Sequence, residues 1–138
     1  MLGNPVPRVA ILAAVETVDP RMHATIEAAM LCKMADRGQI TGGVLDGPLG
    51  FDNAISLDAA RTKGILSPVA GHADVLVVPD IESGSMLSKQ LAYLADALGA
   101  GIVLGARVPI ALPSRAHDRL ARMASAMLAQ IVARAGKA

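Results

Sequence analysis

Short aliphatic runs alternate along the chain with longer segments of helical period, and that alternation restricts the fold to an α/β sheet covered by helices. Runs bounded by Gly, Pro or Asp predict strands at Arg8–Ala14, Ile40–Leu45, Val75–Val78, Gly101–Leu104 and Val108–Leu112. Apolar residues recurring every three to four positions predict helices over Arg21–Arg37, Asp52–Lys63, Ser83–Leu98 and Arg115–Ala135. Gly38, Gly64, Gly99 and Gly136 stand just beyond these helices, where a residue free to turn left-handed stops a helix. Val75–Val78 is aliphatic throughout, the pattern of a strand buried on both faces. Only Gly105-Ala-Arg107 separates the last two runs, too little for a parallel crossover, so they form a hairpin or one bent strand. The expected fold is α/β, with a mostly parallel sheet flanked by helices.

A chain of 138 residues fits one domain, and with 53% hydrophobic and 18% charged residues it has the means to bury a core. That core is aliphatic, because Phe51 and Tyr93 are the only aromatic rings besides the histidines. Scarce aromatics argue against a base-stacking nucleic-acid module. A net charge of +1 gives no field for nucleic acid or an anionic membrane. No apolar run reaches the ~18 residues of a membrane span. The opening residues, Met1 to Arg8, lack the basic region and apolar stretch of a signal peptide. Cys32 is the single cysteine, so no internal disulfide forms and a cytoplasmic location is expected. His23, His72 and His117 fall on separate segments without ligand spacing, so no metal site is expected. Gly101 to Gly105 lacks the glycine spacing of a dinucleotide fingerprint.

Ligands of such sheets bind beyond the carboxyl ends of the strands. The polar residues there are Glu16 and Thr17, Asp46-Gly-Pro48, Asp80 with Glu82-Ser-Gly-Ser85, and Ser114-Arg115. Each has a structural reading beside a functional one. Ser114 caps a helix or serves chemistry; Arg115 is a solvated charge or an anion clamp. Asp80 is a cap or a ligand contact, and Asp118 stabilises a helix start or acts as a base. Lys89 meets phosphate or water, and Arg107 is a site residue or a turn charge. Asp46-Gly-Pro48 is a turn by its own chemistry.

Three segments in order, Gly42–Ser56, Ser67–Leu91 and Gly101–Arg115, together resemble the phosphate acetyl/butyryltransferase family. They carry Asp46-Gly-Pro-Leu-Gly50, Asp80-Ile-Glu-Ser-Gly-Ser85 and Pro113-Ser-Arg115, and the likeness leans toward the butyryl branch and relatives fused to enoyl-CoA hydratase modules. The resemblance implies a fold similar to isocitrate and isopropylmalate dehydrogenases, of which this chain holds one lobe or part of two. It implies that residues 1–138 are the C-terminal portion, without the N-terminal lobe. It also implies exchange of an acyl group between coenzyme A and phosphate, with coenzyme A as substrate, no separate cofactor, and a homo-oligomer. By the same resemblance Ser114 lies near the thiol of coenzyme A, and Arg115 handles the acyl-phosphate or thioester oxygens. Asp80, Ser85, Lys89 and Arg107 are the candidate substrate contacts. The sequence departs from the family's acetyl-specific members at Ala121, where they carry Asp, and from its usual Asn at Ser85. Asp118, sharing a helix face with Ser114, and then His117, are the remaining candidate bases. An inactive coenzyme A-binding or dimerisation module of the same fold is the alternative, and a dehydrogenase of that fold ranks third.

Overall fold

The computed structural model describes residues 3–116 and 118–135. They fall into two compact units, one built on residues 4–84 and one on the residues from Ser85 onward.

The first unit contains β1 (Arg8–Leu12), α1 (His23–Asp36), β2 (Val44–Leu49), α2 (Phe51–Ile55), α3 (Leu57–Thr62) and β3 (Val75–Val77). Its strands form a parallel sheet in the order β2-β1-β3. The middle strand is the most enclosed: Ala10, Ile11 and Leu12 are 0%, 5% and 6% exposed. Strand alternation sends Val9 and Ile11 to one face, where Leu31 of α1 also lies. Leu49, Ala54, Ala60, Val69 and Ala70 complete an aliphatic core.

β2 starts and ends later than predicted, so Asp46-Gly-Pro48 lies inside the strand instead of in a turn. Ala10 pairs with Asp46 but Leu12 pairs with Leu49, so β2 carries one extra residue, a bulge at Gly47-Pro48. A bulge is where a sheet accepts a residue without an N–H, as Pro48 is. Gly47 is required by space: an added Cβ would lie 2.7 Å from the Ile11 carbonyl oxygen and 2.8 Å from its Cβ. Turn chemistry and bulge chemistry use the same residue types, and only the neighbouring strand distinguishes them.

β3 is not buried on both faces. Val75 and Val77, which share one face, are 41% and 36% exposed, and β3 is an edge strand among the described residues. Its entry is joined to that of β1 by the Arg8–Asp74 pair. The Arg8 backbone N–H and Nε donate to Asp74 Oδ2 at 2.9 and 3.1 Å, and Nη2 donates to Oδ1 at 3.3 Å.

The predicted helix Asp52–Lys63 is two helices, broken at Ser56, whose extended backbone ends α2 and whose Oγ accepts the Ala59 N–H that starts α3. Gly38 and Gly64, at φ +71° and +66°, stop α1 and α3 as expected. Gly99 does not stop the next helix, α4 (Ile81–Leu94), which crosses the division between the units. Asp96 takes the left-handed conformation at φ +52°, and the N–H groups of Ala95 and Ala97 both donate to the Leu91 carbonyl. Asp adopts this conformation more readily than other residues with a Cβ. Gly136 lies outside the described residues.

The second unit holds the end of α4, then β4 (Ile102–Val103), β5 (Ile110–Ala111) and α5 (Arg119–Ala135). β4 and β5 form an antiparallel hairpin, pairing Ile102 with Ala111 and Val103 with Ile110. Both pack against α5. Ser125, fully buried on α5, accepts the Gly101 N–H at 3.0 Å and donates to the Ala121 carbonyl at 2.8 Å. Among the described residues no helix is long and apolar enough to cross a membrane.

Two outcomes follow. Gly47→Ala should lower unfolding stability by about 1–3 kcal/mol, the usual range for overpacking, read from urea midpoints at constant m. Arg8 holds the Asp74 carboxyl at about 2, below the ordinary value of ~3.9. A depressed carboxyl stabilises the fold above its unfolded pKa and loses that contribution as pH falls through its folded one. Asp74→Asn should therefore flatten the loss of stability between about pH 4 and pH 2; an unchanged slope would show that the pair is energetically silent.

Candidate functional site

In the first unit, β1 connects through α1 to β2 on one side, and β2 returns through α2 and α3 to β3 on the other. The direction of winding reverses about β1. The crevice outside the carboxyl ends of β1 and β3 is where open α/β sheets take ligands. Its flanks are the loop after β1, which contains Glu16, and the turn after β3, which contains Asp80. Asp80 Oδ1 accepts the Ser83 N–H at 2.7 Å near the start of α4, and that N–H holds its carboxyl below the ordinary carboxylate range. The capping role is thus occupied.

A charged network lies at the carboxyl ends of β1 and β2. Lys63, the C-cap of α3, bonds Glu16 Oε1 and lies 3.0 Å from Asp52 Oδ2. Asn53, fully buried on α2, donates through Nδ2 to Glu16 Oε1 at 2.6 Å and to Asp52 Oδ1 at 3.3 Å. Its Oδ1 is buried without a partner among the described residues. Lys63 lowers the carboxyl pKa values of Glu16 and Asp52, and Glu16 first, then Asp52, raises that of Lys63. Gly50 leaves the room: a Cβ there would lie 2.7 Å from Asp52 Oδ1, 3.0 Å from Asn53 Nδ2 and 3.2 Å from Glu16 Oε1. Sequence reasoning singled out Glu16 but missed Asp52, Asn53 and Lys63. The signal present was the polar Asp52-Asn53 pair just past an apolar strand; the predicted single helix concealed the bend at Ser56.

The other candidates lie in the second unit. Ser85 and Lys89 share a face of α4, with Lys89 Nζ donating to Ser85 Oγ at 2.5 Å. Lys89 is exposed, as a solvated lysine would be, and its ammonium also meets this neighbouring hydroxyl. Arg107 borders an open, mostly apolar concavity of about 470 Å³ between the β4–β5 loop and Val132 of α5. Ser114 and Arg115 do not open α5, which begins at Arg119. They lie in the turn before it, where Ser114 Oγ accepts the Ala116 N–H at 3.3 Å. Ser114 is not helical, so Asp118 and Ser114 do not share a helix face as expected. Asp118 sits at the start instead, and its Oδ1 accepts the Ala121 N–H at 2.8 Å. Ala121, where an Asp was sought, is 5% exposed. His117 lies outside the described residues. Among the described residues no group of three His, Cys, Asp or Glu side chains is placed to hold a metal ion. Cys32 is half-buried and its thiol is pushed up to about 11, chiefly by burial, so it is a poor nucleophile.

Residues 1–130 match the family described as Phosphate acetyl/butaryl transferase. The chain is 64% identical to a phosphate acetyltransferase of Rhizobium meliloti over 132 residues, 96% of this chain and 42% of that protein. It is 46% identical to a phosphate butyryltransferase of Clostridium acetobutylicum over 132 residues, 96% of this chain and 44% of that one. The higher identity falls to the acetyltransferase, against the butyryl leaning of the quoted segments. Among solved structures, a branched-chain phosphotransacylase from Enterococcus faecalis aligns at a TM-score of 0.80 and 33% identity, covering 94% of this chain and 46% of that one. The chain thus spans less than half the length of each of these relatives.

The cap at α5 gives a direct test. Asp118→Ala should destabilise the second unit by about 1 kcal/mol, and Asp118→Asn, which keeps an acceptor, by a few tenths. Urea unfolding that finds Ala and Asn equivalent would show that the cap contributes nothing.

Proposed function

The chain belongs to the Phosphate acetyl/butaryl transferase family, and we propose that it contributes part of an active site exchanging an acyl group between coenzyme A and phosphate. The observation that carries this reading is the family match across residues 1–130, which includes all three quoted segments. In the forward direction phosphate attacks the thioester carbonyl, and the C–S bond breaks as the C–O bond forms. Coenzyme A leaves as a thiolate that takes up a proton; in reverse that thiolate is the nucleophile. Charge builds on the carbonyl oxygen in both directions, so donors aimed there lower the barrier. Arg115, exposed in a turn, has the planar fork that suits phosphate or the carbonyl oxygen, and Ser114 beside it offers a hydroxyl. Asp80, Ser85, Lys89 and Arg107 are proposed contacts to the substrates. Asp118 is the remaining carboxylate proposed as base, although capping already engages one of its oxygens. Self-association is part of the reading, supported by Leu120, Met123, Met127 and Ile131 exposed at helical spacing on α5. So is a reducing cytoplasm, supported by the single cysteine.

The second reading, a coenzyme A-binding or dimerisation module without chemistry, is favoured by one observation: Ala121 is buried where a carboxylate was sought, and Asp118 is used as a cap.

Calorimetric titration of coenzyme A, followed by thiol release from acetyl-CoA and butyryl-CoA with and without phosphate, separates the two. Phosphate-dependent release establishes the enzyme; binding without release leaves the module. In an active protein Arg115→Ala and Ser114→Ala should each lower kcat by about 10²–10³. Near-wild-type rates in both would remove these residues from the site.

A further inference from the structure

The loop after β1 forms one flank of the crevice, yet little holds its middle. At its start the Ala13 N–H donates to the Leu49 carbonyl at 2.9 Å. At its far end buried Thr25 accepts the Asp19 N–H and donates to main-chain oxygens of Asp19 and Met22. Between these anchors, among the described residues, the side-chain bonds are those that Glu16 Oε1 accepts from Lys63 Nζ and Asn53 Nδ2. Lys63 stands on a fixed support. Ser56 caps the start of α3, and after Lys63 the N–H groups of Gly64 and Ile65 close the helix on the carbonyls of Arg61 and Ala60. Asn53 is equally fixed, since its carbonyl accepts the Gly71 N–H at 2.7 Å.

We infer that Lys63 is a positioning residue for the ligand crevice: through Glu16 it fastens the middle of the β1 loop to the end of α3 and so sets one wall of the site. Lys63 and Glu16 side chains are 39% and 26% exposed. Exposed ion pairs add little to global stability. Their effect is therefore local, on a segment whose other side-chain tie runs from the Asn53 amide to the same Glu16 carboxylate. Asp52 shares the ammonium at 3.0 Å, and Gly50 keeps the space open.

The inference that the wall serves a ligand rests on the coenzyme A reading above, and the experiment separates the two. Backbone ¹⁵N relaxation on the full chain is compared for wild type, Lys63→Met and Lys63→Arg. In Lys63→Met the order parameters of residues 14–18 should fall from the rigid value of about 0.85 to below about 0.6, with those of β1, β2 and β3 unchanged. Lys63→Arg should restore them. Unchanged values at 14–18, or a fall spread evenly over the strands, would overturn the proposal. Coenzyme A titration of the same proteins should show about tenfold weaker binding in Lys63→Met and recovery in Lys63→Arg, a 1.36 kcal/mol change. A loosened loop with unchanged affinity also overturns it. If wild type itself does not bind coenzyme A, the coenzyme A reading fails, and the relaxation data alone decide whether Lys63 holds the wall.

Discussion

The first unit depends on how closely β2 can approach β1 at Gly47. Backbone and Cβ of Ile11 occupy the space that a side chain would need, so the pairing of these strands is possible only where the second has no side chain. From that contact the rest follows. The bulge advances β2 by one residue, brings Leu49 opposite Leu12, and delivers Gly50, Asp52 and Asn53 to the same rim as Glu16. A sheet paired without the bulge would turn the following residues to the opposite face.

The rim so formed uses charge sparingly. One ammonium serves two carboxylates, and a buried amide orders them. Three other site candidates occupy turns and helix starts, where their polar atoms already satisfy local backbone groups. Asp80, Asp118 and Ser114 each accept an N–H two or three residues ahead. Groups that hold their own backbone in place are well positioned for a ligand, but the bond they make must be shared or given up in chemistry.

Fold class was readable in the sequence because its signal is periodic: the aliphatic runs marked β1 and β3 to within a few residues, and the glycines marked the ends of α1 and α3. What escaped were features decided by neighbours. Gly47-Pro48 reads as a turn until Ile11 is beside it. Asp52–Lys63 reads as one helix until Ser56 turns its hydroxyl to the Ala59 N–H. Gly99 loses its role to Asp96, a residue that composition would not favour there. Of the candidate site, single residues were legible where they followed an apolar run, as Glu16 and Asp80 do. The partnership of Glu16 with Lys63 was not, because 47 positions separate them. Ser114 and Arg115 were legible in the same way, after the last apolar run; family resemblance supplied their roles, and the periodicity placed them at a helix start that the structure moves to Arg119.

The sheet is fastened at its amino edge by Arg8 with Asp74 and at its carboxyl edge by Lys63 with Glu16, while its middle is hydrocarbon. Both fastenings are partly open to water, so mobile ions reach them; the screening length is only about 8 Å at physiological ionic strength. Added salt therefore slackens the two edges together, whereas cooling weakens the aliphatic middle between them. One small sheet carries two kinds of sensitivity at different heights along its strands, and the rim that faces a ligand is on the salt-sensitive side.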